Sequence, residues 1–230
     1  RRTLLDVLGA GVATATEFLE PTSPQYIADA VSWGAIGARN TESQVHRQLA
    51  SGMSMPIGFK NATDGSVKPA ADSCYTVAFE HHFLSINLDG HVIAAETKGN
   101  PDCHLVLRGS NHGPNYDAES VAAALRDLHE SRRKAPASMA HHRCRPWQLR
   151  QERGGRGGRR REHSRTHRRW RTWNIGHHDG ILPQGRSSAP APLAQLEYGQ
   201  SITDSCVPWA RSEEVLRKLA QAVNARRAAR

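Results

Sequence analysis

The chain has 230 residues, 38% of them hydrophobic, and a formal net charge of +9. That length suits one large domain or two small ones, and no apolar run approaches the roughly 20 residues that span a bilayer. The basic excess is local. Ser131 to Ala194 holds 16 Lys+Arg against 3 Asp+Glu, net +13, whereas the remainder holds 15 against 19, net −4, so overall charge does not make the whole chain a polyanion binder. Cys74, Cys103, Cys144 and Cys206 are far apart with no Cys-x-x-Cys pair. This argues against a disulfide or zinc framework and for a reduced, cytoplasmic protein.

The chain enters a helical stripe (Leu4, Leu5, Val7, Leu8) directly behind Arg1 and Arg2 with no methionine, and is expected to be a fragment. VATATEFLE (12–20) is apolar and β-branched and predicts a strand. Ser23 and Pro24, as N-cap and first helical residue, open a helix through YIADAVSW. AIGAR (35–39) is a short apolar strand ending at Arg39. Thr41 with Gln44 forms a capping box for ESQVHRQLA, which stops at Gly52. PIGFK (56–60) is another strand, ending at Lys60. HFLSINL and HVIAAET flank Asp89-Gly90, a two-residue hairpin signal. CHLVLR (103–108) ends at Arg108, and Asp117 caps AESVAAALRDLHE. Near the end, Ser212 caps EEVLRKLAQAVNARRAAR, whose apolar face is Val215, Leu216, Leu219, Ala220 and Val223.

Alternating strands and helices predict a parallel sheet with crossover helices, and short apolar strands suit a sheet buried on both faces. Successive strands end in Glu17, Arg39, Lys60 and Arg108. In a (β/α)8 barrel all strand C-termini meet on one rim, where active sites lie. Three cations there would receive a small, multiply charged anion, Arg through its planar fork and Lys as a point charge. The bland alternative, solvated loop residues in surface ion pairs, suits any one of them better than three in matching positions.

The stretch ATEFLEPTSPQYIADAVSWGAIGARNTESQVHRQLASGMSMPIGFKNATDGSVK resembles the class I 3-deoxy-D-arabino-heptulosonate 7-phosphate (DAHP) synthases. GNPDCHLVLRG, PNYDAESV and LEYGQSITDSCVPW continue the resemblance, which covers residues 1 to about 130 and about 195 to 230. It implies an α/β fold, a (β/α)8 TIM barrel incomplete in this chain. The activity implied is condensation of phosphoenolpyruvate with erythrose 4-phosphate, the first step of the shikimate pathway. By the same resemblance Arg39, Lys60 and Arg108, with the backbone at Ala38, hold phosphoenolpyruvate. Asp204 is a ligand of a divalent metal (Mn, Fe, Co or Zn) that polarises the aldehyde. The resemblance further implies a homo-oligomer for the intact enzyme and an aromatic amino acid effector. It departs in two places. The family's metal-binding Cys, its Lys-Pro-Arg motif and its first two barrel strands precede the point where this chain starts. The metal-binding His of I-D-x-x-H-x-N-S-x-K and the Glu of M-x-E-S belong between 131 and 194, and neither motif is there.

The 131–194 block has about the expected length but none of the expected sequence, and it holds three of the five tryptophans and six of the thirteen histidines. Its centre reads ERGGRGGRRREHSRTHRRWR (152–171). Codon logic accounts for it. Read one nucleotide later, codons for PWQLRQ (146–151) can encode HGNSGK, with Trp147 leaving no freedom because it has one codon. HHRCR (141–145) can encode IIDAG in that frame, and HHDGILPQG (177–185) can encode IMMESFLKG. The two missing motifs emerge in order from one shift. The block is therefore expected to be a frame-shifted segment between two compensating indels, poorly folded, and the chain as written is expected to be catalytically dead.

Two other readings compete. Taken literally, the block is a disordered arginine-rich arm whose Trp170 or Trp173 could stack on bases, making the protein a nucleic-acid binder built on a barrel fragment. That reading leaves the hidden motifs unexplained, so nucleic acid is not the expected partner. A zinc site from His141, His142, Cys144, His163 and His167 fits no standard spacing. His46, His81 and His82 read as packing or surface histidines, and Cys103 and Cys206 as buried thiols with no base nearby.

Overall fold

A computed structural model describes residues 1–115, 117–133, 181–182, 191–202 and 206–228. The chain divides into two compact units, Arg1–Gly155 and Arg156–Arg230. The first contains helix α1 (Arg2–Gly9), strand β1 (Ala15–Glu17), α2 (Pro24–Ile27) with a 3-10 turn at Ala28–Ala30, β2 (Trp33–Ile36), α3 (Gln44–Ser51), β3 (Ile57–Lys60), α4 (Lys68–Thr76), the hairpin β4 (His81–Ile86) and β5 (Val92–Thr97), β6 (His104–Val106) and α5 (Ala118–Arg133). β1, β2, β3 and β6 form one parallel sheet in that order. The crossovers that parallel pairing requires are α2, α3 and α4.

Alternation along the strands separates two faces. Phe18, Ile36, Ile57 and Phe59, each at most 1% exposed, join Leu49, Ala50, Ala70, Ala71, Cys74 and Val77 in the core beneath the helices. Each large side chain buried there contributes about 1.5–3 kcal/mol. The opposite face carries Trp33, Gly58, His104 and Val106. A Cβ on Gly58 would lie 2.6 Å from both Trp33 and Val106 and 3.2 Å from His104. Lys60, two residues beyond Gly58, belongs to this second face. The arrangement is an α/β fold, an incomplete (β/α)8 barrel with its helices outside and this second face toward the barrel interior.

Several local expectations are corrected. The helix opened at Ser23 does not run to Trp33. Ser32 and Trp33 both donate their N–H to the Thr14 carbonyl, at 3.0 and 3.2 Å, so the chain is already extended toward β2. Ser23 and Pro24 are the N-cap and first helical residue of α2 as expected, but the Ser23 side chain makes no cap bond, and the entry is held by Glu20, whose carboxylate accepts the Thr22 N–H at 2.6 Å, the Thr22 hydroxyl and the Ser23 N–H. These bonds, the Thr22 hydroxyl foremost, lower its pKa to about 2. The Thr41–Gln44 capping box does not form. α3 begins at Gln44 after Ser43, whose hydroxyl sits 2.9 Å from His46 Nδ1, and Thr41 is used elsewhere. The Asp89-Gly90 hairpin forms with a three-residue loop, closed by the Asn87 N–H donating to His91 O at 2.9 Å. Asn87 Oδ1 accepts from Asp89 and His91, and Gly90 takes φ 81°. Asp117 does cap α5, accepting the Glu119 and Ser120 N–H groups at 3.0 and 2.9 Å.

In the second unit β7 (Ile181–Leu182) pairs in parallel with β8 (Val207–Pro208), which leads directly into α6 (Trp209–Ala228). Ser212 is inside the first turn of α6 rather than its cap, because the helix starts at Trp209 and the Ser212 hydroxyl donates to Pro208 O at 3.2 Å.

Candidate anion-binding site

Parallel, in-register strands bring their C-terminal ends to one rim. Glu17 stands opposite Ala35, Ile36 opposite Phe59, and Lys60 opposite Val106. Glu17 and Lys60 are the last residues of their strands. Arg39 and Arg108 are not strand ends as expected. They lie three and two residues past Ile36 and Val106, on the loops that leave the same rim.

The Lys60 side chain is 6% exposed and forms an ion pair with Glu17 Oε2. An ammonium that deep needs a counter-charge, and Gly37 makes room for one: a Cβ there would fall 2.5 Å from Glu17 Oε1. The carboxylate therefore lies between Lys60 Nζ and the backbone of the turn carrying Ala38 and Arg39. Arg39 is exposed, Ala38 and Arg108 are half-buried. Among the described residues, no carboxylate forms a salt bridge with either guanidinium. Three cations against one carboxylate leave the rim net positive.

Uncharged side chains, buried at Thr41, Asn61 and Ser73 and half-buried at Asn115, tie the loops together. Thr41, 1% exposed, has its hydroxyl 2.8 Å from Lys60 O and 3.1 Å from Gly37 O. The Ser73 hydroxyl of α4 lies 2.8 Å from Thr41 O. Asn61 and Asn115 bond to the backbone around Arg108. Thr41 and Asn61 carry no sequence signal as site components beyond position, Asn61 directly following Lys60 and Thr41 lying two residues after Arg39, and Asn115 carries none.

On the interior face, Trp33 Nε1–H donates to His104 Nε2 at 3.0 Å. Burial lowers the His104 pKa, and an Nε2 that accepts must be unprotonated. His46 is buried, with Nε2 3.3 Å from Leu19 O. His82 is exposed, 3.6 Å from Glu96. Cys103 is buried and Cys206 half-buried. Asp204 lies outside the described residues, as do His141, His142, Cys144, His163, His167, Trp170 and Trp173. Among the described residues, no group of three or more His, Cys, Asp or Glu side chains could hold a metal, and no helix is long and apolar enough to cross a membrane.

A parallel sheet with helices on its outer face and charged side chains on the C-terminal rim defines part of a (β/α)8 barrel. Residues 4–153 match the DAHP synthetase I family, and the chain belongs to that family. It is 43% identical over 247 residues to a phospho-2-dehydro-3-deoxyheptonate aldolase of Haemophilus influenzae, covering 100% of this chain and 62% of that protein. It is 41% identical over 247 residues to the Phe-sensitive phospho-2-dehydro-3-deoxyheptonate aldolase of Escherichia coli, covering 99% of this chain and 64% of the relative. The solved phospho-2-dehydro-3-deoxyheptonate aldolase of Francisella tularensis superposes with a TM-score of 0.72 at 32% identity, covering 97% of this chain and 64% of that one. The chain thus spans less than two thirds of the length of these relatives.

Proposed function

We propose that the rim formed by Arg39, Lys60 and Arg108, with the backbone at Ala38, binds phosphoenolpyruvate. The parent activity is its condensation with erythrose 4-phosphate to DAHP and phosphate, opening the shikimate route to chorismate and the aromatic amino acids. The observation that carries the reading is a buried lysine flanked by two loop arginines that no described carboxylate neutralises. Preorganised cations of this kind stabilise phosphate and carboxylate charge without reorganisation. The names of the relatives support the substrate, and the Phe-sensitive relative supports an aromatic amino acid effector. A cytoplasmic homo-oligomer is the form proposed for the intact enzyme.

A divalent metal, when bound, would polarise the aldehyde of the second substrate. Among the described residues no group of His, Cys, Asp or Glu side chains makes a centre for it, and Asp204, the residue matched to a family ligand by sequence, lies outside them. The activity proposed for this chain by itself is binding. The nucleic-acid alternative rests wholly on residues outside the described ones.

Isothermal titration of the full chain with phosphoenolpyruvate tests the proposal. Saturable one-site binding is expected, weakened at least 10-fold in Arg108→Ala, in line with the ~1.5–3 kcal/mol of a charged hydrogen bond. Equal affinity in wild type and R108A would refute it.

A further inference from the structure

We infer that Asn61 and Asn115 are positioning residues, forming an amide bridge that fixes Arg108 relative to Lys60 and so favours an anion with two charged ends over a single phosphate. The inference rests on the binding proposed above.

Asn61 is 1% exposed and directly follows Lys60. Its Nδ2 donates to Ala62 O at 2.8 Å and Gly109 O at 3.0 Å. Its Oδ1 accepts the Arg108 N–H at 2.9 Å and Asn115 Nδ2 at 3.2 Å. Asn115 completes the bridge, its Oδ1 accepting the Gly109 N–H at 2.7 Å. The β3–β6 ladder ends at Lys60 opposite Val106, with the Asn61 N–H donating one bond more, to Val106 O at 3.1 Å. Beyond Val106 these amides take over where the sheet stops holding the chain. They grip the backbone at 108 and 109 from a residue adjacent to Lys60.

Only an amide suits the position. Two carbonyls need donors and two N–H groups need acceptors, which a carboxylate or an apolar side chain cannot supply together. A buried amide with every position used is rigid, and loss of one partner is costly. The bonds to the Arg108 N–H and to both the N–H and the carbonyl of Gly109 hold the backbone that carries Arg108 against the residue that follows Lys60, and a ligand with a phosphate at one end and a carboxylate at the other is sensitive to the spacing of those two cations. Inorganic phosphate, engaging a single cluster of donors, is much less so.

The experiment is a pair of titrations on the full chain, with phosphoenolpyruvate and with inorganic phosphate, in wild type, Asn115→Ala and Asn115→Gln, each variant checked for cooperative thermal unfolding. The expected result is a loss of about 10-fold for phosphoenolpyruvate and less than about 2-fold for phosphate. General destabilisation lowers both affinities by the same factor, so a parallel fall in both refutes the inference. Unchanged binding of both ligands also refutes it, as does failure of both variants to fold, since the bridge would then support the fold rather than the spacing. If wild type itself binds phosphoenolpyruvate no better than phosphate, it is the proposed function that fails.

Discussion

Replacing Glu17 by glutamine should move stability and ligand affinity in opposite directions. The substitution keeps the shape over Gly37 but removes the charge facing Lys60. Removing one partner of a fully buried ion pair costs about 3–5 kcal/mol. Lys60 is enclosed, with 6% of its side chain exposed, but Glu17 is 34% exposed, so water screens part of the interaction. The discounted cost is about 1–2 kcal/mol, or roughly 2–8 °C in melting temperature for a chain of this size. The rim meanwhile becomes more positive. A charge about 6 Å from a bound dianion, at effective dielectrics between those of water and the protein surface, contributes about 1–5 kcal/mol, so inorganic phosphate should bind about 10-fold tighter or more. Calorimetry with phosphate and thermal unfolding with and without it measure both effects. Phosphate should return more stability to Glu17→Gln than to wild type, because binding to the folded state alone stabilises in proportion to affinity. Unchanged or weaker phosphate binding would show that Glu17 does not hold down the charge of the site, and the electrostatic account of the rim would be wrong.

Stability should also fall in mild acid through His104. Its pKa is lowered in the folded chain, chiefly by burial, so below about pH 6.5 the unfolded state takes up a proton that the folded state refuses. The loss begins as pH drops through 6.5, at no more than about 1.4 kcal/mol per pH unit for one proton. Urea midpoints at pH 7.5 and 5.5 should differ less in His104→Gln, and an unchanged difference would count against this assignment. The frame-shift reading of 131–194 makes a prediction about the gene: the frame one nucleotide later should encode HGNSGK across 146–151 and an M-x-E-S motif across 177–185. A nucleotide sequence lacking either ends that explanation.

The sequence alone determined the sheet and its helices wherever local signals and burial agree. PIGFK is short and apolar up to its closing Lys60, and its last four residues are β3. Asp117 precedes a helical pattern and caps it. Charged residues after successive strands were legible as a rim because parallel strands share a direction. Local rules failed where a side chain had a better partner far along the chain. Thr41 reads as a cap three residues before Gln44, yet its hydroxyl is drawn to Lys60 O, nineteen residues away. Glu17 reads as one more charge at a strand end, but only the packed sheet brings its carboxylate over Gly37 and onto Lys60. The Asn61–Asn115 bridge, spanning 54 residues, has no local signature. An amide's bonding capacity is a property of the residue, whereas the four backbone and side-chain groups that use it are brought together only when the sheet closes around them.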